Sequence, residues 1–254
     1  MKVSAARAEN TIAFSLAAWA AWAPGIEERA DWDAWARSPW LPSGDQVPAL
    51  EEVPAMQRRR IERLGRMAMQ AAFWCDHARS ESVPVVFVSR HGDVQRSLSL
   101  LEQQARGESL SPAGFGLSVH NAVAALHSIA QGHRDNYLAL AASKAGVEAA
   151  LIEAAGLLAD GANEVQVVVY ETSLPPAYAP FLDEPDPPHA WSCRVRVVDA
   201  GAGITIGWRA DEMRERGASG ALPASLEALR FLLSDDPGHE HIADGLRWEW
   251  RRHG

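Results

Sequence analysis

The sequence predicts an α/β fold: a layered domain with a mainly parallel five-stranded sheet and flanking helices. Three observations predict it. Val83–Ser89 (VPVVFVS) and Val165–Tyr170 (VQVVVY) are short, valine-rich, nearly unbroken apolar runs, which suit strands covered on both faces. Around them, apolar residues recur at three- and four-residue spacing, the mark of amphipathic helices. No internal repeat or low-complexity segment interrupts the alternation.

The elements follow in order. Thr11–Trp19 alternates Ile12, Phe14 and Leu16 and predicts a first strand. Its Ala-rich continuation to residue 25 superficially matches the core of an export signal. However, Glu9 stands beside Lys2 and Arg7, and the run is too short to span a bilayer, so a buried strand is the better reading. Residues 20–54 carry Trp22, Trp32, Trp35 and Trp40 among five prolines. So many large rings need a surface to pack on, which predicts a folded excursion rather than a linker.

Met56 to about Arg79 predicts a helix through Ile61, Leu64, Ala68, Ala71 and Cys75, with arginines opposite. Pro84 belongs at the start of the second strand, where its missing N–H matters least. Helical patterns follow at 94–106 and 117–131, then a short strand at Tyr137–Ala142 and an Ala/Leu helix at Lys144–Leu158, closed by Gly161. After the Val165–Tyr170 strand, Trp191–Val198 and Ile204–Trp208 predict a strand pair around Gly201–Gly203. A helix at Pro223–Leu233 and an Arg/Trp tail end the chain. The expected organisation is one domain over 1–254, with the Trp/Pro-rich excursion at 20–54 and an added strand pair and helix at 190–254.

Composition narrows the function. A net charge of -9 argues against binding a phosphate backbone, which needs a basic face. Cys75 and Cys193 stand in no metal or redox spacing and suit a reduced, cytoplasmic protein. His239-Glu240-His241 lacks the spacing that sets two histidines on one helix face, so it reads as a solvated tail, not a metal site. No cofactor is expected.

The stretch Val85–Thr172, with the phrases SRHGDVQRS (89–97) and LSPAGFGLSVHNAVAAL (110–126) inside it and RLGRMA (63–68) ahead of it, says more than the fold class. Together they resemble the N-terminal half of a β-ketoacyl synthase. The closer likeness is to the short ketosynthase-like chain-length factors of bacterial aryl polyene (xanthomonadin-type) pigment clusters. The resemblance implies a thiolase-like half-fold in which strand, tight turn and helix present a nucleophilic cysteine. A helix N-terminus there lowers a thiolate's pKa and holds an oxyanion. In this register Lys144 stands at the cysteine position, with Ser143 or Ala145 there if the register slips by one. An amine acylated by a thioester gives an amide, which does not release its acyl group for condensation. Ser143 has no evident base and suits a helix N-cap. The half that carries the two ketosynthase histidines is also missing.

The resemblance therefore implies no catalytic residue and a partner: an active β-ketoacyl synthase subunit, paired as a heterodimer or higher hetero-oligomer. That partner would use acyl carrier protein in type II polyketide or fatty-acid-like elongation. It sets His91 at a pocket gate and Phe115 at the pocket lining, and puts Val119, Asn121, Ala122, Val123 and Leu126 at the dimer seam. Arg59, Arg63 and Arg66 are the candidate contact for an acidic carrier protein, against the plainer reading of a solvated helix face. Two alternatives stay open. One is a stand-alone acyltransferase or thioesterase using His91, Asp93 or His120, although no G-x-S-x-G pattern accompanies them. The other is a scaffold that only stabilises its partner. Neither nucleic acid nor a membrane span is expected.

Overall fold

The computed structural model describes residues 10–76, 83–198, 202–211 and 221–254. The elements run β1 (Asn10–Trp22), α1 (Arg29–Arg37), α2 (Ala55–Arg58), α3 (Arg63–Cys75), β2 (Val85–Val88), α4 (Val94–Ala105), α5 (Pro112–Gly116), α6 (Ala122–Gln131) and β3 (Tyr137–Leu140). They continue with α7 (Gly146–Ala159), β4 (Val165–Glu171), a 3₁₀ turn (Pro176–Phe181), β5 (His189–Arg196), β6 (Gly203–Ala210), α8 (Ala224–Leu233), β7 (Gly238–Ala243) and β8 (Leu246–His253).

The strands form one sheet in the order β3-β2-β4-β5-β1-β6-β8-β7. The layered α/β class stands, but the expected five mainly parallel strands are corrected to eight, mostly antiparallel. Only β2–β3 and β2–β4 are parallel. These are the strands joined through intervening helices, as parallel pairing requires.

The predicted 191–198/204–208 strand pair is also corrected, because the long β1 lies between its members. Asn10–Phe14 pairs with β6 and Ser15–Trp22 pairs with β5, the register shifting between Leu16 and Ala18. Residue 201 of the expected turn lies outside the described residues. The Arg/Trp tail is β8, paired with β6 along its whole length, and His239 and His241 sit in β7.

Strand pleating sends alternate side chains to two cores. Val86, Val88, Val165, Val167, Val169, Trp19 and Trp191 face one layer with α1, α7 and α8. Phe87, Val168, Tyr170 and Trp22 face α3 and α6. The excursion is folded, as its rings require. Trp32 Nε1 donates to the Ala21 carbonyl at 3.1 Å, Trp35 Nε1 donates to the Trp40 carbonyl at 2.8 Å, and both rings are buried.

The predicted 56–79 helix is broken at 59–62, and 77–79 lies outside the described residues. Arg66 folds back to cap the break, its guanidinium donating to the carbonyls of Ile61 at 2.9 Å and Arg58 at 3.1 Å. The 117–131 helix starts later, at Ala122, after a separate α5 and a turn. Asp93 caps α4, accepting from Arg96 N at 3.0 Å. Among the described residues, no helix is long and apolar enough to cross a membrane.

Candidate functional site

The parallel strands β3, β2 and β4 end side by side, with Leu140 opposite Val88 and Val88 opposite Val169. The carboxyl ends of parallel strands open onto a crevice in α/β sheets. Here the crevice receives the Ser89–Asp93 turn after β2, the Ala141–Ala145 turn after β3, and Glu171 at the end of β4. The segment from the 3₁₀ turn to Pro188 crosses over them as a strap.

Lys144 lies in the β3–α7 turn, just ahead of the helix start, as expected. Its side chain is only 13% exposed, and Nζ lies 3.4 Å from Asp183 Oδ2 on the strap. Arg90 holds the same strap, contacting Asp183 Oδ1 at 3.0 Å and Glu184 Oε1 at 2.8 Å. Glu184 Oε2 also accepts from Ala224 N at 3.0 Å, at the start of α8, where a negative charge is favoured. Burial works against ionising Asp183, but the bonds to Arg90 and Lys144 hold its carboxyl below the usual range. Burial likewise opposes the charge on Arg90, and Glu184 and Asp183 more than compensate.

Beneath them, Glu171 is enclosed. Burial pushes its pKa up to about 8, even though it accepts from Arg90 N at 2.7 Å and from Ser89 Oγ at 3.3 Å. At neutral pH Glu171 is therefore mostly protonated, and two cations, Arg90 and Lys144, face two anions, Asp183 and Glu184. Arg90, Lys144 and Glu184 are largely buried and need that pairing, while Asp183 keeps about half of its side chain in solvent.

The strap is bolted to α8 as well. His189 is buried, and Nδ1 donates to the Pro187 carbonyl at 2.7 Å, which leaves Nε2 to accept the Ser225 hydroxyl at 2.9 Å. Burial pulls the imidazole pKa down to about 4, so the ring is neutral and this tautomer is fixed. Beside Lys144, the cleft lined by Arg90, Ser143, Lys144, Glu171, Glu184 and Ser225 holds only about 10 Å³. That is about the space of one water molecule and far too little for an acyl chain.

The remaining predicted residues separate into several groups. Ser143 does not cap α7: its hydroxyl donates to Asp244 in the β7–β8 turn, and α7 has no side-chain cap. His91 is exposed at the turn's tip, above a cleft of about 20 Å³ that it lines with Arg90 and residues 182–186. Burial of its ring face, and then Arg90, lower its pKa. Phe115, at 63% exposure, is not packed into this chain's core.

Among the expected seam residues, Val119 is exposed at 42%, and Asn121 is exposed at the start of α6. Ala122 and Val123 are corrected: both are buried in this chain, and Val123 packs in the α3/α6 core with the half-buried Leu126. Their helix leans on α3, so its stripe serves the chain's own interior. The arginine face is also corrected in part. Arg63 donates to the carbonyls of Gly44 and Gln46 at 2.5 and 3.1 Å, and Arg66 is spent on the helix break, while Arg59 stays exposed.

For the stand-alone readings, Asp93 is engaged by Arg96. His120 Nε2 lies 2.7 Å from the Leu140 carbonyl and so donates to it. Arg90, Glu171, Asp183, Glu184 and His189 were missed by sequence reasoning. The acidic run Leu182–Asp186 (LDEPD) was the available signal, but its cations lie about forty and ninety residues upstream in the chain.

A second polar cluster holds the C-terminal hairpin. Glu148, buried in the first turn of α7, accepts from His241 Nδ1 at 3.0 Å and Trp250 Nε1 at 3.1 Å. The solvated-tail reading of His239 and His241 is thereby corrected. Burial alone would lower the His241 pKa, and the Glu148 bond raises it above its ordinary value.

Residues 32–251 match the family model described as beta-ketoacyl synthase, N-terminal domain. Among solved structures, the chain is similar to a ketosynthase in complex with its chain length factor from Xenorhabdus doucetiae. That match has 24% identity and a TM-score of 0.83, covering 95% of this chain and 100% of that one. It is also similar to the ishigamide ketosynthase/chain length factor, at 17% identity and TM-score 0.63, covering 79% and 68% of the two chains. A beta-ketoacyl synthase from Burkholderia phymatum matches at 14% identity and TM-score 0.60, covering 87% and 69%. No curated protein matches the chain.

Proposed function

We propose that this chain, which belongs to the β-ketoacyl synthase N-terminal domain family, is a non-catalytic chain-length-factor-like subunit. It pairs with an active β-ketoacyl synthase and shapes that partner's acyl tunnel in type II polyketide or polyene elongation. The partner performs the decarboxylative condensation on carrier-bound units. This chain contributes a surface and a tunnel boundary, and works in the cytoplasm.

One observation carries the reading. The turn at which the family presents its nucleophile holds Lys144, tied to Asp183 in a cleft of about 10 Å³. An amine committed to a carboxylate and shut away from any acyl chain is a poor nucleophile. Two further features suit a partner. Among the described residues, β3 is an edge strand of apolar sequence (YLAL) with no strand paired along its outer side. Nearby, α4 and α5 bury no residue, and Leu101, Phe115, Val119 and Ile129 are exposed.

Co-expression with a ketosynthase encoded beside this chain tests the reading. A soluble complex whose condensation needs both chains is expected. A well-behaved monomer that turns over acyl thioesters alone would overturn it.

A further inference from the structure

Lys144 and His91 lie on different turns, more than fifty residues apart in sequence, yet the structure joins those turns twice. The first link is ionic. Lys144 Nζ and Arg90 both hold Asp183, at 3.4 and 3.0 Å, and Arg90 immediately precedes His91. The second runs through His120. Its Nε2 donates to the carbonyl of Leu140, the last residue of β3, and its ring lies against Gly92, where an added Cβ would sit 2.7 Å from Nδ1. Gly92 has a φ of +62°, and its N–H donates to Ser89 Oγ at 2.9 Å. The His91 turn is thus fixed at its base by Ser89 and Gly92, and from the side by the Arg90–strap contacts. Removing Lys144 leaves the half-exposed Asp183 held by Arg90 alone and unties the strap from the β3–α7 turn. Arg90 already touches Asp183 at 3.0 Å, so a strap freed from Lys144 moves together with Arg90 and with His91, which lines the same cleft as Leu182–Asp186.

We infer that Lys144 is a positioning residue for the tunnel boundary. Its ammonium, through Asp183 and Arg90, sets where His91 stands against the growing acyl chain. The inference rests on the chain-length reading above and deepens it. The cation at the nucleophile position replaces chemistry with bracing, and it does so only because the strap presents Asp183 and Glu184 to it.

The test uses the complex with its ketosynthase, the distribution of product chain lengths, and the variants His91→Ala, Lys144→Ala, Lys144→Arg, Lys144→Met, Asp183→Asn and the Lys144→Ala/Asp183→Asn double. Lys144→Ala and Asp183→Asn are expected to shift the ratio of the major product to its neighbours in the same direction. A change of about twofold or more is the size of coupling within one ionic network. The double variant should shift it no further, and Lys144→Arg should restore the wild-type ratio, with complex formation and acylation of the partner's cysteine unchanged. A circular-dichroism melt of each complex separates a shifted gate from an unfolded chain, and Lys144→Met, which keeps the volume without the charge, should reproduce the alanine shift. If His91→Ala moves the distribution and the Lys144 variants do not, or if arginine shifts it as much as alanine, the positioning role is overturned and the chain-length reading stands. If no variant moves it, His91→Ala included, the chain-length reading itself falls.

Discussion

The two edges of the sheet are built differently. β7, at one edge, carries His239, Glu240 and His241, with Glu240 paired to Arg247 on its neighbour. Charged, polar edge strands resist pairing with other chains. Behind it, Trp248, Trp250 and Phe231 pack with α8, and Glu148 pins the hairpin to α7. β3, at the other edge, is the uncharged run YLAL, half-buried along its length; α6, which packs on it, leaves Ile129 more than half exposed, and α4 and α5 leave Leu101 and Phe115 so. One end of the molecule is complete in itself. The other has exposed apolar side chains and, among the described residues, an edge strand without a neighbour, as the proposed pairing requires.

Breaking the closed end should cost the most stability. Trp250→Ala removes a buried ring and one bond to Glu148, and denaturant titration should show a loss of about 3–5 kcal/mol in the isolated chain. The open end should respond in binding instead. Phe115→Asp or Ile129→Asp should leave the melt of the isolated chain within about 0.5 kcal/mol of wild type. Either should weaken pairing with the ketosynthase by about 2 kcal/mol, roughly thirtyfold, if it sits in the interface centre. Equal losses of fold and binding in both sets would erase the contrast.

Smaller effects sharpen it. Glu148→Leu leaves His241 and Trp250 without their acceptor and should cost roughly 1–3 kcal/mol. The wild-type pair should also show a pH dependence. A histidine whose folded pKa is raised stabilises fully below its ordinary value of 6.5, and that contribution is lost as pH rises through the folded value. Thermal melts of wild type against Glu148→Leu should therefore differ most on the acid side of neutrality.

The change expected at Glu171 has the opposite sign. Its folded pKa of about 8 lies above the ordinary 4.5, so the wild type gives up stability as pH rises across that window. Glu171→Gln, neutral throughout, should melt a few degrees above wild type at pH 7 and lose that advantage below pH 4.5. A variant that melts lower at pH 7 would mean that the carboxylate is ionised and needed.

How much of this was legible depended on range. Strands such as VQVVVY and the Ala/Leu helix after Lys144 are written in local periodicity, and the structure keeps them within a few residues. The strand order is not local. β1 pairs with two strands whose partner residues follow by about 170–200 residues, and no pattern in Thr11–Trp19 announces that it separates β5 from β6. The helix break at 59–62 escaped because no proline or glycine marks it. Arg66 supplies the cap from within the next helix. The site divided in the same way: the resemblance placed Lys144 and His91, whereas the ionic network that joins their turns draws on Asp183 and Glu184 in a strap with no motif. Ala122 and Val123 show the reverse error, since an apolar stripe does not say whether it faces a partner or α3.

The most direct test of the central claim is to ask which chain carries the acyl group. The purified complex would be incubated with acyl-loaded carrier protein, quenched, and each subunit weighed intact by mass spectrometry. A non-catalytic partner predicts acylation on the ketosynthase alone, with this chain at its unmodified mass and the complex still assembled. An acyl adduct on this chain, at Lys144 or elsewhere, formed at a rate matching product release, would contradict it.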